Sequence, residues 1–164
     1  MHFYEKEPIS LYLDGLDLLE DVSSELQDIV IYRHPQLGLV LVINGEIQHI
    51  EEYQCPYHEL LVHLPMSFIK KPQNALILGG GSLFAAYEVL KYPTIECVTL
   101  CDHDKRVLDL MKKYYTHAAQ VMSDVRFNFV EQDGIDFIEK CTKKYDLIIN
   151  DCFNMIEVIH TKKV

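Results

Sequence analysis

Acidic side chains follow three apolar segments in the second half of the chain. Asp102 ends the segment IECVTLCD, Asp133 follows VRFNFVEQ, and Asp151 follows DLIIN. If these segments are parallel strands, their carboxyl ends meet at one edge of a sheet, which is where such sheets bind their ligands. Three carboxylates there exceed what helix capping requires. The spacing therefore predicts a shared ligand cleft.

A glycine turn precedes these acids, in ALILGGGSLFAA. Gly79, Gly80 and Gly81 can adopt positive φ and carry no side chain that would hold a ligand away from the backbone. The dinucleotide fingerprint G-x-G-x-x-G would need a glycine where this chain has Phe84, so the triplet alone is a weak signal for NAD. Ser82 is the expected N-cap of the helix that follows.

Asp102 lies about 20 residues beyond the glycines, where an acid can accept both hydroxyls of a ribose. The alternative is that Asp102 or Asp104 only caps the next helix, a task that Asp104 could perform alone. We expect the first role for Asp102.

The predicted secondary structure changes along the chain from β-strands to alternating strands and helices. Residues 26–50 alternate short apolar stretches with turns, and Asn44-Gly45 predicts a tight hairpin, so this region is expected to be a β-meander with a further strand pair between Ile9 and Val22. Pro56 suits the first turn of a helix that Pro65 bends or ends. From Asn74 onward, strands and helices alternate as in a doubly wound parallel sheet.

The predicted organisation is an α/β protein with three parts. These are an N-terminal β-strand and oligomerisation module over 1–54, a linking helix over 55–73, and a Rossmann-like nucleoside-binding domain over 74–164 that is incomplete at its C-terminus. The strand from Asp146 to Asn150 is apolar enough to be expected inside the sheet, and Met155, Ile156 and Ile159 suggest a helix after it. A fragment of a longer protein, an edge covered by a partner subunit and a shortened fold are all compatible with this pattern.

Composition excludes several classes of function. The formal charge of −10 over 164 residues argues against nucleic-acid binding, which uses clustered Lys and Arg. The N-terminus does not resemble a signal peptide and no window is apolar enough for a membrane span, so a cytoplasmic protein is expected. The five cysteines include no C-x-x-C pair and are expected to be small buried hydrophobic residues. His58 and His63 are five residues apart and therefore point in different directions on a helix. No metal site is predicted from either group.

Several segments match a known family in order and spacing. The segments LQDIVIY, GLVLVINGEIQ, YHELLVHLP, ALILGGGS, EVLKYPTIECVTLCDHD, DGIDFIE and YDLIINDC resemble the spermidine synthase family, the polyamine aminopropyltransferases, from about Leu26 to Asp151. The resemblance implies a small β domain used in oligomer contacts and a domain of the class I methyltransferase type. It also implies transfer of an aminopropyl group from decarboxylated S-adenosylmethionine to putrescine, with methylthioadenosine as the other product, in a homodimer or higher homo-oligomer.

The same resemblance assigns roles to individual residues. It gives contacts with the nucleoside donor to Gln27 and His58, a place beside the diamine and the donor tail to Tyr57, the ribose to Asp102, the adenine to Asp133 with Gly134, and deprotonation of the attacking amine to Asp151. A protonated amine is not a nucleophile, which explains why an acid is needed at that position.

The chain departs from the family pattern at specific positions. Ser82 replaces the aspartate that grips the donor's ammonium group, Leu83 and Phe84 replace two glycines, and Asn154 replaces a second acid. Three hypotheses follow: an aminopropyltransferase or the donor-binding part of one, a catalytically impaired member that binds a nucleoside or only assembles with a partner, and a methyltransferase on the same fold. The N-terminal β module and the YHE helix disfavour the third.

Overall fold

The computed structural model describes residues 3–5 and 11–152, and the side chains of residues 12–152. The chain divides into two compact units, Met1–Tyr57 and His58–Val164.

The first unit is built from antiparallel strands. β1 (Phe3–Glu5) pairs with β2 (Leu11–Leu13), and a separate sheet contains β3 (Asp17–Ser23), β4 (Asp28–His34), β5 (Gly38–Ile43) and β6 (Glu46–Ile50) in that order. The predicted meander is therefore confirmed. The predicted strand pair between Ile9 and Val22 is wrong in its pairing, because β2 pairs with β1 and β3 pairs with β4.

The hairpin between β5 and β6 shows why its turn residues were recognisable. Asn44 has φ 52° and Gly45 has φ 79°. Two consecutive positive φ values match the right-handed twist of the flanking strands, and Asn and Gly adopt them at the lowest cost. The Asn44 side chain also accepts a hydrogen bond from the amide of Asp28 at 2.9 Å, which ties the turn to the start of β4.

A 3₁₀ turn (Glu51–Tyr53) leads into helix α1 (Gln54–Met66), and Pro65 lies in the last turn of that helix. The helix ends at Met66, one residue after Pro65, as the sequence predicts for a proline at this position.

The second unit is a parallel sheet with helical connections. Its strands are β7 (Asn74–Gly79), β8 (Cys97–Asp102), β9 (Phe127–Glu131) and β10 (Leu147–Asp151), and their order across the sheet is β10-β7-β8-β9. Its further helices are α2 (Phe84–Leu90), α3 (Lys105–Tyr114), α4 (Thr116–Ser123) and α5 (Gly134–Lys140). The predicted fold class, a small β module followed by a shortened methyltransferase-like sheet, is confirmed. Helix α4 was not predicted as a separate element.

Burial follows the position of each strand in the sheet. The four central residues of β7 and of β8 are all buried, as expected for parallel strands covered on both faces. β10 is an edge strand among the described residues, and its Ile148 side chain is 59% exposed. The expectation that this apolar strand lies inside the sheet is therefore wrong for the part of the chain that the structure describes.

The cysteines differ in environment more than their sequence context suggests. All five are free, but only Cys101 is buried, whereas Cys55 and Cys152 are exposed. The expectation of five buried cysteines is wrong, because helix starts and strand ends expose residues that flank apolar runs.

Across residues 3–5 and 11–152, no helix has the length and apolar character that a membrane span requires.

Candidate functional site

The glycine turn after β7 lies between two carboxylates at the carboxyl edge of the sheet. The Gly80 amide donates to the backbone carbonyl of Asp151 at 3.2 Å, and the Gly81 amide donates to Oδ2 of Asp102 at 3.1 Å. β10 and β8 flank β7 on opposite sides, so one short turn joins the ends of three strands. The structure thus brings Asp102 and Asp151 to the same edge, as the sequence predicts.

Steric crowding explains the three glycines. A Cβ at Gly79 would lie 2.7 Å from the carbonyl oxygen of Asp151, one at Gly80 would lie 3.0 Å from Oδ2 of Asp151, and one at Gly81 would lie 3.0 Å from Oδ2 of Asp102. Gly79 and Gly80 also have φ of 71° and 72°. The turn therefore needs glycine in order to approach its neighbouring strand ends. Close approach of a ligand to these residues stays a prediction.

Both carboxylate oxygens of Asp102 accept backbone hydrogen bonds. Oδ2 accepts from Gly81, and Oδ1 accepts from the amide of Asp104 at 3.1 Å. Asp104 caps α3 by accepting from the Arg106 amide at 2.9 Å, so the capping role belongs to Asp104 and not to Asp102. Burial raises the pKa of Asp102, and the two amides with nearby His103 only partly oppose this effect. A fixed, poorly solvated carboxylate with remaining lone pairs is suited to accept hydroxyl groups.

Asp151 forms the second acidic position together with His58. Nε2 of His58 lies 3.7 Å from Oδ2 of Asp151, and their side chains are only 5% and 12% exposed. Asp151 is the last residue of β10, and His58 is in the second turn of α1. A carboxylate beside an imidazole can hold an ammonium group and accept its proton.

An aromatic cluster supports His58. Its ring stacks on Phe84 with centroids 5.2 Å apart, and the Phe84 ring also contacts the rings of His117 and Tyr115, with centroids 3.7 and 5.7 Å away. Nε2 of His117 lies 3.2 Å from the backbone carbonyl of Ser82, in the turn itself. Sequence reasoning missed His117 because an isolated histidine in THAAQ has no motif around it, and only the fold places it beside the turn.

Leu83, and not Ser82, is the N-cap of α2, so the predicted cap is wrong. The Leu83 amide donates to the Gly80 carbonyl at 2.8 Å and closes a turn over residues 80–83, which delays the first helical residue to Phe84. Leu83 has φ 68° and is fully buried. A leucine in this left-handed conformation costs about 1–2 kcal/mol relative to its ordinary backbone.

The positive φ of Leu83 predicts that a glycine variant at this position is more stable than an alanine variant. Leu83→Ala is expected to lower the free energy of unfolding by about 2–5 kcal/mol, because it leaves a cavity. Leu83→Gly is expected to lower it by about 1 kcal/mol less than Leu83→Ala, because glycine has no penalty at positive φ. Urea unfolding of both variants measures the difference. Glycine proving less stable than alanine, as in an ordinary helix, would contradict the assignment.

Asp133 and Gly134 follow β9 at the same edge. Oδ1 of Asp133 accepts from the amides of Ile135 and Asp136 at 2.9 and 3.1 Å, so Asp133 is the N-cap of α5. Gly134 has no steric need to be glycine, since a Cβ there would meet only Leu78, at 3.7 Å. The contact of this pair with adenine stays a prediction.

Two thiols near this edge have raised pKa values, with burial as the larger cause and the neighbouring carboxylates as the smaller one. Although part of Cys152 is exposed, desolvation by the surrounding atoms, together with the carboxylates of Asp102, Asp151 and Asp133, raises the pKa of its thiol to about 11. Burial and the carboxylates of Asp102 and Asp133 raise the pKa of Cys101 to about 11 as well. The same charges that disfavour a thiolate favour a cationic ligand.

The remaining predicted residues belong to the first unit or lie outside the described residues. Gln27 is in the first unit, in a turn where its amide donates to the Ser24 hydroxyl at 2.9 Å. Tyr57 is the last residue of that unit and is 54% exposed. Asn154 and the apolar residues after it lie outside the described residues. The roles of Gln27 and Tyr57 stay predictions.

The second histidine of α1 has partners of its own. Nε2 of His63 lies 3.0 Å from Oε2 of Glu88, and its Nδ1 lies 2.8 Å from the Tyr92 hydroxyl oxygen. Within residues 3–5 and 11–152, the structure contains no group of three or more His, Cys, Asp or Glu that could hold a metal ion.

Known proteins resemble this chain in both sequence and structure. A family model described as "Spermine/spermidine synthase domain" matches residues 54–163. Polyamine aminopropyltransferases of Yersinia pseudotuberculosis (serotype O:1b, strain IP 31758) and Yersinia pestis (strain Pestoides F) are 34% and 35% identical over 146 residues, which is 88% of this chain and 49% of each relative.

Two solved structures share its fold. Spermidine synthase from Thermotoga maritima superposes with a TM-score of 0.86 at 29% identity, over 94% of this chain and 56% of that one. A spermidine synthase in complex with the transition state analogue AdoDATO gives a TM-score of 0.86 at 28% identity, over 94% and 54%. The chain thus spans about half the length of the curated relatives that it matches.

Proposed function

Because this chain belongs to the spermine/spermidine synthase family, we propose that it takes part in aminopropyl transfer from decarboxylated S-adenosylmethionine to a polyamine, with putrescine as the acceptor. The observation that carries the proposal is the buried pair of Asp151 and His58, which faces the glycine turn at the edge that also holds Asp102.

In the proposed reaction, the amine nitrogen attacks the propyl carbon bonded to the donor's sulfonium. The carbon–nitrogen bond forms as the carbon–sulfur bond breaks, and the sulfur keeps the electron pair and leaves as the thioether of methylthioadenosine. The nitrogen must first lose a proton, and we assign its acceptance to the Asp151 carboxylate, a role that its buried contact with His58 supports. No metal is needed for this step, since the sulfonium is already a good leaving group.

Binding of the donor is assigned to the other acids at the same edge. Asp102 would accept the ribose hydroxyls, because its backbone hydrogen bonds fix both of its oxygens. Asp133 with Gly134 would contact the adenine, since Oδ1 of Asp133 already serves as a helix cap and Oδ2 accepts no hydrogen bond from residues 3–5 and 11–152. The carboxylates of Asp102 and Asp151 at one edge support a cationic donor and acceptor.

An assay with the purified chain tests the proposal. Incubation with decarboxylated S-adenosylmethionine and putrescine is expected to yield spermidine and methylthioadenosine in equal amounts, measured by mass spectrometry. Methylthioadenosine alone is expected to raise the melting temperature, because a ligand that binds only the folded state stabilises it. Absence of both product and thermal shift would overturn the proposal. A thermal shift without product would leave only nucleoside binding.

We also propose that the chain forms a homodimer or higher homo-oligomer. On the part of α1 in the second unit, Leu60 and Leu64 are 66% and 59% exposed, one helical turn apart, and Phe68 just beyond the helix is 81% exposed. Apolar side chains in such a stripe indicate a surface that another helix covers.

Light scattering tests the assembly. A mass that is a multiple of 19.1 kDa is expected at micromolar concentration, and Leu64→Glu is expected to lower it because the charge disfavours burial of the stripe. Glu59→Gln on the same helix serves as a control. A monomeric wild-type chain would contradict the proposal.

A cytoplasmic location also stays a prediction.

A further inference from the structure

A second group of reactive side chains lies away from the carboxyl edge. An open groove of about 590 Å³ lies on the second unit, and it is lined in part by Cys97, Thr99, Phe137, Cys141, Lys143 and Tyr145. Cys97 begins β8, whereas Asp102 ends it, so the groove and the carboxyl edge are separated by about 16 Å along the strand.

A thiol and an amine are in direct contact in this groove. Nζ of Lys143 lies 3.2 Å from Sγ of Cys97 and 5.2 Å from the centroid of the Tyr145 ring. The tyrosine face thus holds the ammonium group beside the sulfur. Sγ of Cys97 also lies 3.8 Å from the hydroxyl of Thr99. The sulfur therefore has an amine and a hydroxyl around it.

Small reagents can reach this contact. Cys97 is half-buried and Lys143 is exposed, and the groove between them opens to solvent. Cys141 lines the same groove and donates from its Sγ to the backbone carbonyl of Lys143, at 3.8 Å. Cys141 is the competing partner for any oxidised form of Cys97.

We propose that Cys97 and Lys143 form a reversible sulfur–nitrogen cross-link when the protein meets a hydroperoxide. In the first step the Cys97 sulfur attacks the peroxide, which cleaves the O–O bond and gives the sulfenic acid Cys–S–OH and the corresponding alcohol, or water when the oxidant is hydrogen peroxide. The sulfur loses two electrons and the peroxide gains them. In the second step the Lys143 nitrogen, after losing a proton, attacks that sulfur and displaces the oxygen as water. The product is a sulfenamide, Cys–S–NH–Lys.

The reaction of a sulfenic acid with a nearby nitrogen or thiol is established chemistry, so geometry decides between the two partners. The Lys143 amine is already in contact with the Cys97 sulfur. The cross-link would join the first residue of β8 to the segment between α5 and β10, across 46 positions of the chain. Closing such a loop restricts the unfolded chain and stabilises the folded one.

Peptide mapping after peroxide treatment tests the proposal. The wild-type chain, Cys97→Ser, Lys143→Arg and Cys141→Ser are each treated with hydrogen peroxide, digested without reductant and analysed by mass spectrometry. Arginine keeps the positive charge beside Cys97 but is not a nucleophile under these conditions, so Lys143→Arg is the matched control. The neighbouring Lys144→Arg controls for lysine replacement in the same segment.

The expected product is a peptide pair joining Cys97 to Lys143, with a mass lower than the sum of the parts by two hydrogen atoms. It should form in the wild type, Cys141→Ser and Lys144→Arg, disappear in Cys97→Ser and Lys143→Arg, and revert with dithiothreitol, and the melting temperature of the cross-linked form should exceed that of the reduced form. A Cys97–Cys141 disulfide in place of this product would overturn the proposal. So would a Cys97 that peroxide oxidises to sulfenic or sulfinic acid without any link to Lys143, or one that peroxide leaves unchanged.

Discussion

Replacing Asp151 by Asn is expected to lower the rate of aminopropyl transfer by about two to four orders of magnitude, the usual contribution of a positioned general base. Asn keeps the shape of the side chain but cannot accept the proton of the attacking amine. It also removes the negative charge that faces Nε2 of His58 at 3.7 Å. The measurement is the value of kcat/KM for spermidine formation.

The variant must remain folded for this result to be informative. The Gly80 amide bonds to the backbone carbonyl of Asp151, and the substitution keeps that contact. Binding of methylthioadenosine by Asp151→Asn should therefore stay within a few-fold of the wild type. Asp109→Asn is the control, because Asp109 is an exposed residue of α3 paired with Lys105 at 2.7 Å. Wild-type activity in Asp151→Asn would show that another group accepts the proton.

Replacing Asp102 by Asn is expected to weaken methylthioadenosine binding by about 10- to 100-fold, since a hydrogen bond to a charged group contributes about 1.5–3 kcal/mol. Asn has a single side-chain oxygen, so the variant also loses one of the two hydrogen bonds that Asp102 accepts from the backbone amides of Gly81 and Asp104. Asp104→Asn is the matched control, because Asn caps a helix as well as Asp does. Titration calorimetry on both variants measures the difference. Equal affinity in wild type and Asp102→Asn would remove Asp102 from the site.

The pH dependence of binding gives an independent test of Asp102. Burial raises the pKa of this carboxyl above its ordinary value of 3.8, so protonation begins at a higher pH than for an exposed aspartate. Affinity for methylthioadenosine should therefore fall as the pH is lowered through that raised pKa, and Asp102→Asn should lack this component. For stability the sign is opposite: the folded chain holds this proton more tightly than the unfolded chain, so the contribution of Asp102 to the free energy of unfolding decreases as pH rises.

Local patterns predicted most of the elements correctly. Asn44-Gly45 specified a hairpin because few residues accept two positive φ values. The continuous apolar runs of β7 and β8 specified buried parallel strands because both faces of such strands are covered. Helix α4 gave no such signal, and its boundary with α3 is set by Tyr115, which is extended and buried.

The candidate site was predictable only in part, because local patterns specify elements and not the contacts between them. Each acid stood at the end of an apolar segment, so its place at the carboxyl edge followed from the alternation of strands and helices. The contacts of those acids did not follow. The pairing of Asp151 with His58, for example, joins residues far apart in the chain.

The sequence by itself determined the fold class, the family and the row of acids at the ends of consecutive strands, because each of these depends on residue types at short or regular spacing. Only the tertiary structure decided which atoms meet there. It placed Phe84 in contact with two imidazoles, made Leu83 and not Ser82 the cap of α2, and brought Lys143 against Cys97. Such contacts depend on the packing of distant segments, which no local pattern of residues records.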